Sequence, residues 1–118
     1  MMKTPDFVYR LVTAEELATS LPAGDLPLRD IDKKDGYVHL SCRDQLIETA
    51  DLHFSDYQEL HAVAFRPEDL GESFGWHAAL TRGADFPHVV GALNLGKSDH
   101  IKLLRRGAGG FRFDEGQD

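Results

Sequence analysis

The sequence predicts an α+β fold, a split or mixed β-sheet carrying helices. Three observations predict it. Apolar residues alternate with a period of two in some segments and recur at helical spacing in others. The two kinds of segment mix without a regular strand–helix–strand rhythm. Glycine- and proline-marked turns divide them into short elements. At 118 residues, 42% hydrophobic and 28% charged, the chain fits one domain, 1–118, with enough apolar material for a core.

Residues 7–12 alternate as a strand, with Phe7, Tyr9 and Leu11 on one face and Val8, Arg10 and Val12 on the other. Thr13-Ala14-Glu15-Glu16 is a capping box, because the threonine hydroxyl takes a free helix amide while Glu16 reaches back. The helix it opens is expected to bury Leu17 and Leu21 and to end at Pro22-Ala23-Gly24. Residues 25–34 read as an exposed, charged connection with a short strand at 26–29. Asp35-Gly36 is a turn into a short strand, Tyr37-Val38-His39-Leu40.

Ser41 and Asp44 mark a capped helix start, and Leu46, Ile47, Ala50 and Phe54 then fall on one face of a helix over 42–54. Residues 60–65 read as a buried strand and Pro67-Glu68-Asp69-Leu70-Gly71 as one helical turn. A short strand is expected at Phe74-Gly75-Trp76-His77, and a loop at Thr81-Arg82-Gly83-Ala84-Asp85. The strand over 86–93 contains Pro87, which places it at an edge or a bulge. A strand over 99–104, a turn at 107–110 and a returning Phe111-Arg112-Phe113 precede a frayed acidic tail at 114–118.

A net charge of -7 argues against bulk nucleic-acid binding, which needs phosphate neutralisation, yet leaves room for one local basic pocket. The single cysteine, Cys42, forms no internal disulfide, which fits a reducing compartment. The first residues carry no signal-peptide pattern, and no run approaches the roughly 20 apolar residues that span a bilayer. The expectation is a cytoplasmic protein, a monomer, with no membrane association.

Six histidines invite a metal reading, but there is no H-x-H, no H-E-x-x-H and no cysteine pair, so no metal site is expected. His53, His61 and His100 read as surface or half-buried residues. His39 lies between a glycine turn and a helix start, on the same face as Tyr37 and Ser41, where pockets gather. It either lines such a pocket or packs on the sheet; Ser41 caps the helix in both cases. Arg82, flanked by Gly83, either clamps a phosphate or carboxylate with its planar fork or stays solvated in its loop. Pro87 holds His88 in a fixed orientation. Trp76 is either core or a stacking platform, with His77 facing the opposite way. Cys42, in a helix first turn, has a position that lowers a thiol pKa, but nothing else supports a nucleophile.

The series Tyr9-Arg10-Leu11-Val12-Thr13-Ala14-Glu15-Glu16, Asp35-Gly36-Tyr37-Val38-His39-Leu40-Ser41, Glu48-Thr49-Ala50 with His53-Phe54, Trp76, Arg82-Gly83 and Phe86-Pro87-His88 with Gly91 resembles the bacterial family catalogued as domain of unknown function 952, over residues 7–113. The resemblance implies an ADP-ribosyltransferase-like or RNA 2′-phosphotransferase-like fold, whose cleft binds NAD in the active enzymes. Those enzymes carry a histidine and a hydroxyl residue after the first strand; here Arg10-Leu11-Val12-Thr13 keeps the threonine alone. Gly36-Tyr37-Val38-His39-Leu40-Ser41 is similar to their second-strand segment. The late-strand glutamate of many transferases has no counterpart in 86–93, where His88 is the polar group. The resemblance thus implies a small-molecule or nucleotide ligand, NAD among them, in a cleft with His39 and His88 as the catalytic pair. Arg10 or Arg82 would meet an anionic group, Tyr37 or Trp76 would stack on a ring, and Ser41 would line the pocket. The alternatives are a non-catalytic binding or interaction module and a two-histidine phosphoesterase. If His39 and His88 serve one ligand, their rings should lie within about 12 Å.

Overall fold

The computed structural model describes residues 4–79 and 82–114. Met1–Lys3, Thr81 of the expected loop and 115–118 of the expected tail lie outside the described residues.

Four strands form one antiparallel sheet: β1 (Val8–Val12), β3 (Glu59–Phe65), β6 (His100–Gly107) and β7 (Gly110–Phe113), in the order β1-β3-β6-β7. Three more form a second antiparallel sheet: β2 (Val38–His39), β5 (Ala84–Val89) and β4 (Phe74–Ala79), in the order β2-β5-β4. The sheet is therefore split, and among the described residues every ladder is antiparallel. Helices α1 (Ala14–Ala23), α2 (Asp30–Asp35), α3 (Leu46–His53) and α4 (Pro67–Leu70) complete the α+β architecture. No helix among the described residues is long and apolar enough to cross a membrane.

Both faces of β1 are buried. Val8 and Val12 join Val38, Leu40, Val63, Phe65, Val89 and Leu93 in one core cluster, while Tyr9 and Leu11 join Leu46, Ala50, Leu60, Leu104 and Phe111 in another. The period-two alternation of β1 thus feeds two cores, one on each side of the larger sheet. Helix α3 buries Leu46 and Ala50 in the second cluster, with Ile47 and Phe54 packed against it, as the helical spacing requires.

The Thr13 capping box forms: Thr13 Oγ1 accepts from the Glu16 amide at 3.1 Å and Glu16 Oε1 from the Thr13 amide at 2.9 Å. Its helix buries Ser20 and leaves Leu21 66% exposed, so Leu21 is not the core residue the spacing suggested. The Ser41 cap does not form either. The Ser41 hydroxyl reaches Thr49 Oγ1 at 3.4 Å, because the cap position falls one residue later, at Cys42, and the chain makes a 3-10 turn, Arg43–Gln45, before α3 begins. Gln45 takes over the capping, its side-chain oxygen accepting from the Cys42 amide at 2.9 Å. The segment expected as an exposed connection contains α2, which buries Asp32.

Strand β5 is the centre of its sheet, not an edge. Pro87 is tolerated there because β2 is only two residues long. The Pro87 carbonyl accepts from the Leu40 amide at 3.1 Å, so the ring nitrogen faces the side where the β2 ladder has already ended.

Among the described residues, one backbone bridge joins the two sheets. Tyr9 on β1 and Ser41, just past β2, exchange two backbone hydrogen bonds of 2.8 Å. Among the described residues β1 is an edge strand of its sheet, and residues of both sheets line a cleft beside the bridge.

Candidate functional site

The cleft has a volume of about 510 Å³. Its walls come from β1 (Arg10, Leu11), the β2 segment (His39 to Ser41), β4 and β5 (His77, Phe86), α3 (Thr49, His53) and the two loop arginines Arg29 and Arg82. That is the size range and composition of a small-molecule site, an apolar body with a few placed polar groups.

His39 is held at both ring nitrogens. Nδ1 lies 2.7 Å from Asp32 Oδ1 and Nε2 lies 2.8 Å from Asp35 Oδ2. The Asp32 hydrogen bond raises the His39 pKa; burial opposes this, and Asp35 adds to it. Asp32 is fixed in turn by Arg10, whose guanidinium forks onto both carboxylate oxygens at 2.6 and 3.2 Å. The same guanidinium donates to the His39 carbonyl at 2.9 Å. Burial pushes the Asp32 carboxyl up, but hydrogen bonds from His39, Arg10 and the Arg29 amide outweigh it and hold it well below the usual carboxylate range.

His77 and His88 pair with each other, Nδ1 to Nδ1 at 3.0 Å. Burial lowers the pKa of both; for His77 the neighbouring His88 and His39 lower it further, and for His88 the charge on His39 does so. The Tyr37 ring stacks on His88 at 4.3 Å between centroids and lies 4.8 Å from His77 and 4.9 Å from His39. Four rings thus share one face of the smaller sheet, because His39 pairs with His88 and His88 with Gly75 across the strands. Any side chain at 75 would push the His88 ring out of this arrangement, since a Cβ there would stand 2.8 Å from His88 Nε2.

These opposed environments separate the titrations by charge state. The stability that His39 contributes is fully present below its ordinary pKa of 6.5 and is lost as pH rises through its raised folded value. His77 and His88 resist protonation, so they cost stability as pH falls below 6.5. His39→Gln is therefore expected to abolish the loss of stability on the alkaline side of 6.5 and to leave a smaller acid-side loss, since burial still lowers His77 and His88 but the charge on His39 is gone. Thermal melts across that range check it; an unchanged alkaline limb would show that His39 carries no raised pKa.

The structure places the sequence-derived candidates as follows. His39, Ser41 and Arg82 line the cleft, and His88 and Tyr37 belong to the ring cluster behind His77. Arg10 touches the cleft, but its side chain is 2% exposed and its fork is filled by Asp32. Trp76 lies on the opposite strand face from His77, beside a separate hollow with Cys42, Gln45 and Asp85. The Cys42 thiol is pushed up to about 11 by burial and then by Asp44, opposite to the effect expected of a helix first turn. Sequence reasoning missed Asp32, Asp35 and His77 as site residues and set His53 aside, although His53 lines the cleft. The two-residue period on β4, which sets His77 opposite to Trp76, was the available signal. Among the described residues, no three His, Cys, Asp or Glu side chains are grouped to hold a metal.

Residues 11–98 match the profile of the family described as "Protein of unknown function (DUF952)". The chain belongs to this family. Among solved structures, the chain is similar to protein CC0527 from Caulobacter crescentus. Its crystal structure is 30% identical, covering 88% of this chain and 90% of that one at a TM-score of 0.79. Its solution NMR structure is 29% identical, covering 90% of each at a TM-score of 0.77. No curated protein matches the chain.

Proposed function

We propose that this DUF952 protein binds a nucleotide-type ligand, with NAD the first candidate, in an ADP-ribosyltransferase-like cleft between its two sheets. One observation carries the reading: in a chain of net charge -7, Arg29, Arg82 and the imidazoles of His39, His53 and His77 line the cleft on apolar walls, with the buried Arg10 behind them held by Asp32. Such a pocket focuses positive potential where the rest of the surface repels anions. The apolar side chains of Leu11, Ile31, Phe54 and Phe86 suit a base or nicotinamide ring, and the cations suit its phosphates.

If the site is catalytic, the charge-separated imidazoles assign the work. His39, whose pKa Asp32 raises, is suited to stabilising negative charge, and His77, whose pKa burial lowers, is suited to accepting a proton. The non-catalytic alternative also has an observation in its favour, since carboxylates occupy both nitrogens of His39.

Calorimetry with NAD, ADP-ribose and 2′-phosphorylated RNA tests the reading. Arg82→Ala and His77→Ala are expected to weaken the ligand that binds by about tenfold or more each, with melting temperatures nearly unchanged. Binding that ignores both substitutions would place the ligand elsewhere; turnover of bound ligand separates the enzyme from the binding module.

A further inference from the structure

His39 and Arg82 both face the cleft, and each already holds a carboxylate. Asp35, the last residue of α2, sits on His39 Nε2 at 2.8 Å and is 32% exposed. Glu48, on α3, accepts from Arg82 Nη2 at 2.7 Å and is 66% exposed. Neither resembles Asp32, which is 1% exposed and clamped by Arg10. Exposed ion pairs contribute little, so Asp35 and Glu48 are cheaply displaced.

The cations, in contrast, are fixed. Asp32 anchors His39 through Nδ1. The Arg82 guanidinium lies 4.3 Å above the Phe86 ring, and among the described residues its Nε meets no acceptor, so Glu48 leaves the fork partly unsatisfied. Between the two cations stand His77 and Phe86, with centroids 5.7 Å from His39 to His77 and 6.4 Å from His77 to Phe86. The two cations thus sit on different elements, His39 on β2 and Arg82 between β4 and β5, with the His77 and Phe86 rings linking them.

We propose that Asp35 and Glu48 occupy the two anion positions of the cleft, and that its ligand carries two anionic groups set apart by a linker, as in a nucleoside bisphosphate, each displacing one carboxylate. The inference rests on the nucleotide reading for the linker alone; the paired anion positions follow from the two ion pairs.

The test is calorimetry on the wild-type protein, Asp35→Asn, Glu48→Gln and the double variant at mildly acidic pH, where His39 is charged. The probes are adenosine 3′,5′-bisphosphate, AMP and, as a bisphosphate without a base, fructose 1,6-bisphosphate. Each substitution removes a competing anion, so each is expected to tighten the nucleoside bisphosphate by about two- to fivefold, with the gains multiplying in the double variant. AMP, with one anionic group, is expected to gain from one substitution at most. Unchanged or weakened bisphosphate affinity in the variants would overturn the inference and leave nucleotide binding intact. So would AMP gaining as much as the bisphosphate from the double variant. The sugar bisphosphate responding alone would uphold the two anion positions and overturn the nucleotide reading. Absence of binding by all three probes would overturn both.

Discussion

Asp32→Ala is expected to destabilise the protein by about 3–5 kcal/mol, the range for breaking a buried ion pair from one side. The Arg10 side chain is 2% exposed, and without Asp32 its charge keeps only the carbonyls of His39 and Pro27. Removing the carboxylate also unfastens the Arg29 amide and the amide and Nδ1 of His39, all of which Asp32 binds. Most of the cost lies in the stranded charge, so adding Arg10→Met should recover a large part of it. Urea denaturation of the two single variants and the double checks both statements. A loss below about 1 kcal/mol in Asp32→Ala would mean that the pair is solvated.

Leu46→Ala is expected to cost about 2–5 kcal/mol. Leu46 is fully buried on α3 against Leu60, Leu104 and Phe111, and the neighbouring small residues Ala50, Ala62 and Ala64 offer nothing that could swing in to fill the space. The cavity term therefore adds to the lost transfer energy instead of relaxing away. Chemical denaturation measures it, and a shift under about 0.5 kcal/mol would mark the face as exposed.

Several elements were legible because a local rule sufficed. The Thr13 box, the α3 face through Leu46 and Ala50, and the β6–β7 hairpin closed by Gly110 at φ 113 each depend on residues close in sequence. Helix α2 was not legible. Asp30-Ile31-Asp32-Lys33-Lys34-Asp35 has no apolar stripe, and the one residue it buries is Asp32, which Arg10 binds from 22 residues upstream. Pro87 was misplaced for a related reason: proline argues for an edge, and only the length of a partner strand far away in sequence makes the central position tolerable. His39 could be singled out from its glycine turn, but its charge could not, since both carboxylates that set it come from the unrecognised helix. His77 was seen to oppose Trp76, yet which of the two faces the cleft depends on the partner sheet.

The Tyr9–Ser41 bridge has a bearing on strand register. A strand of two residues specifies its own alignment weakly, and β2 pairs with β5 only through Val38 and His39. Alignment matters here more than in most strands, because a slip of one residue exchanges the two faces. Val38 and Leu40 would then turn outward and the charged ring of His39 would enter the apolar cluster that they occupy now. The two hydrogen bonds to Tyr9 forbid that slip by pinning the residue two places after His39 to the other sheet. The larger sheet thus acts as a template for the smaller one, and the chemical identity of the cleft is decided by a contact made outside the sheet that bears its histidines.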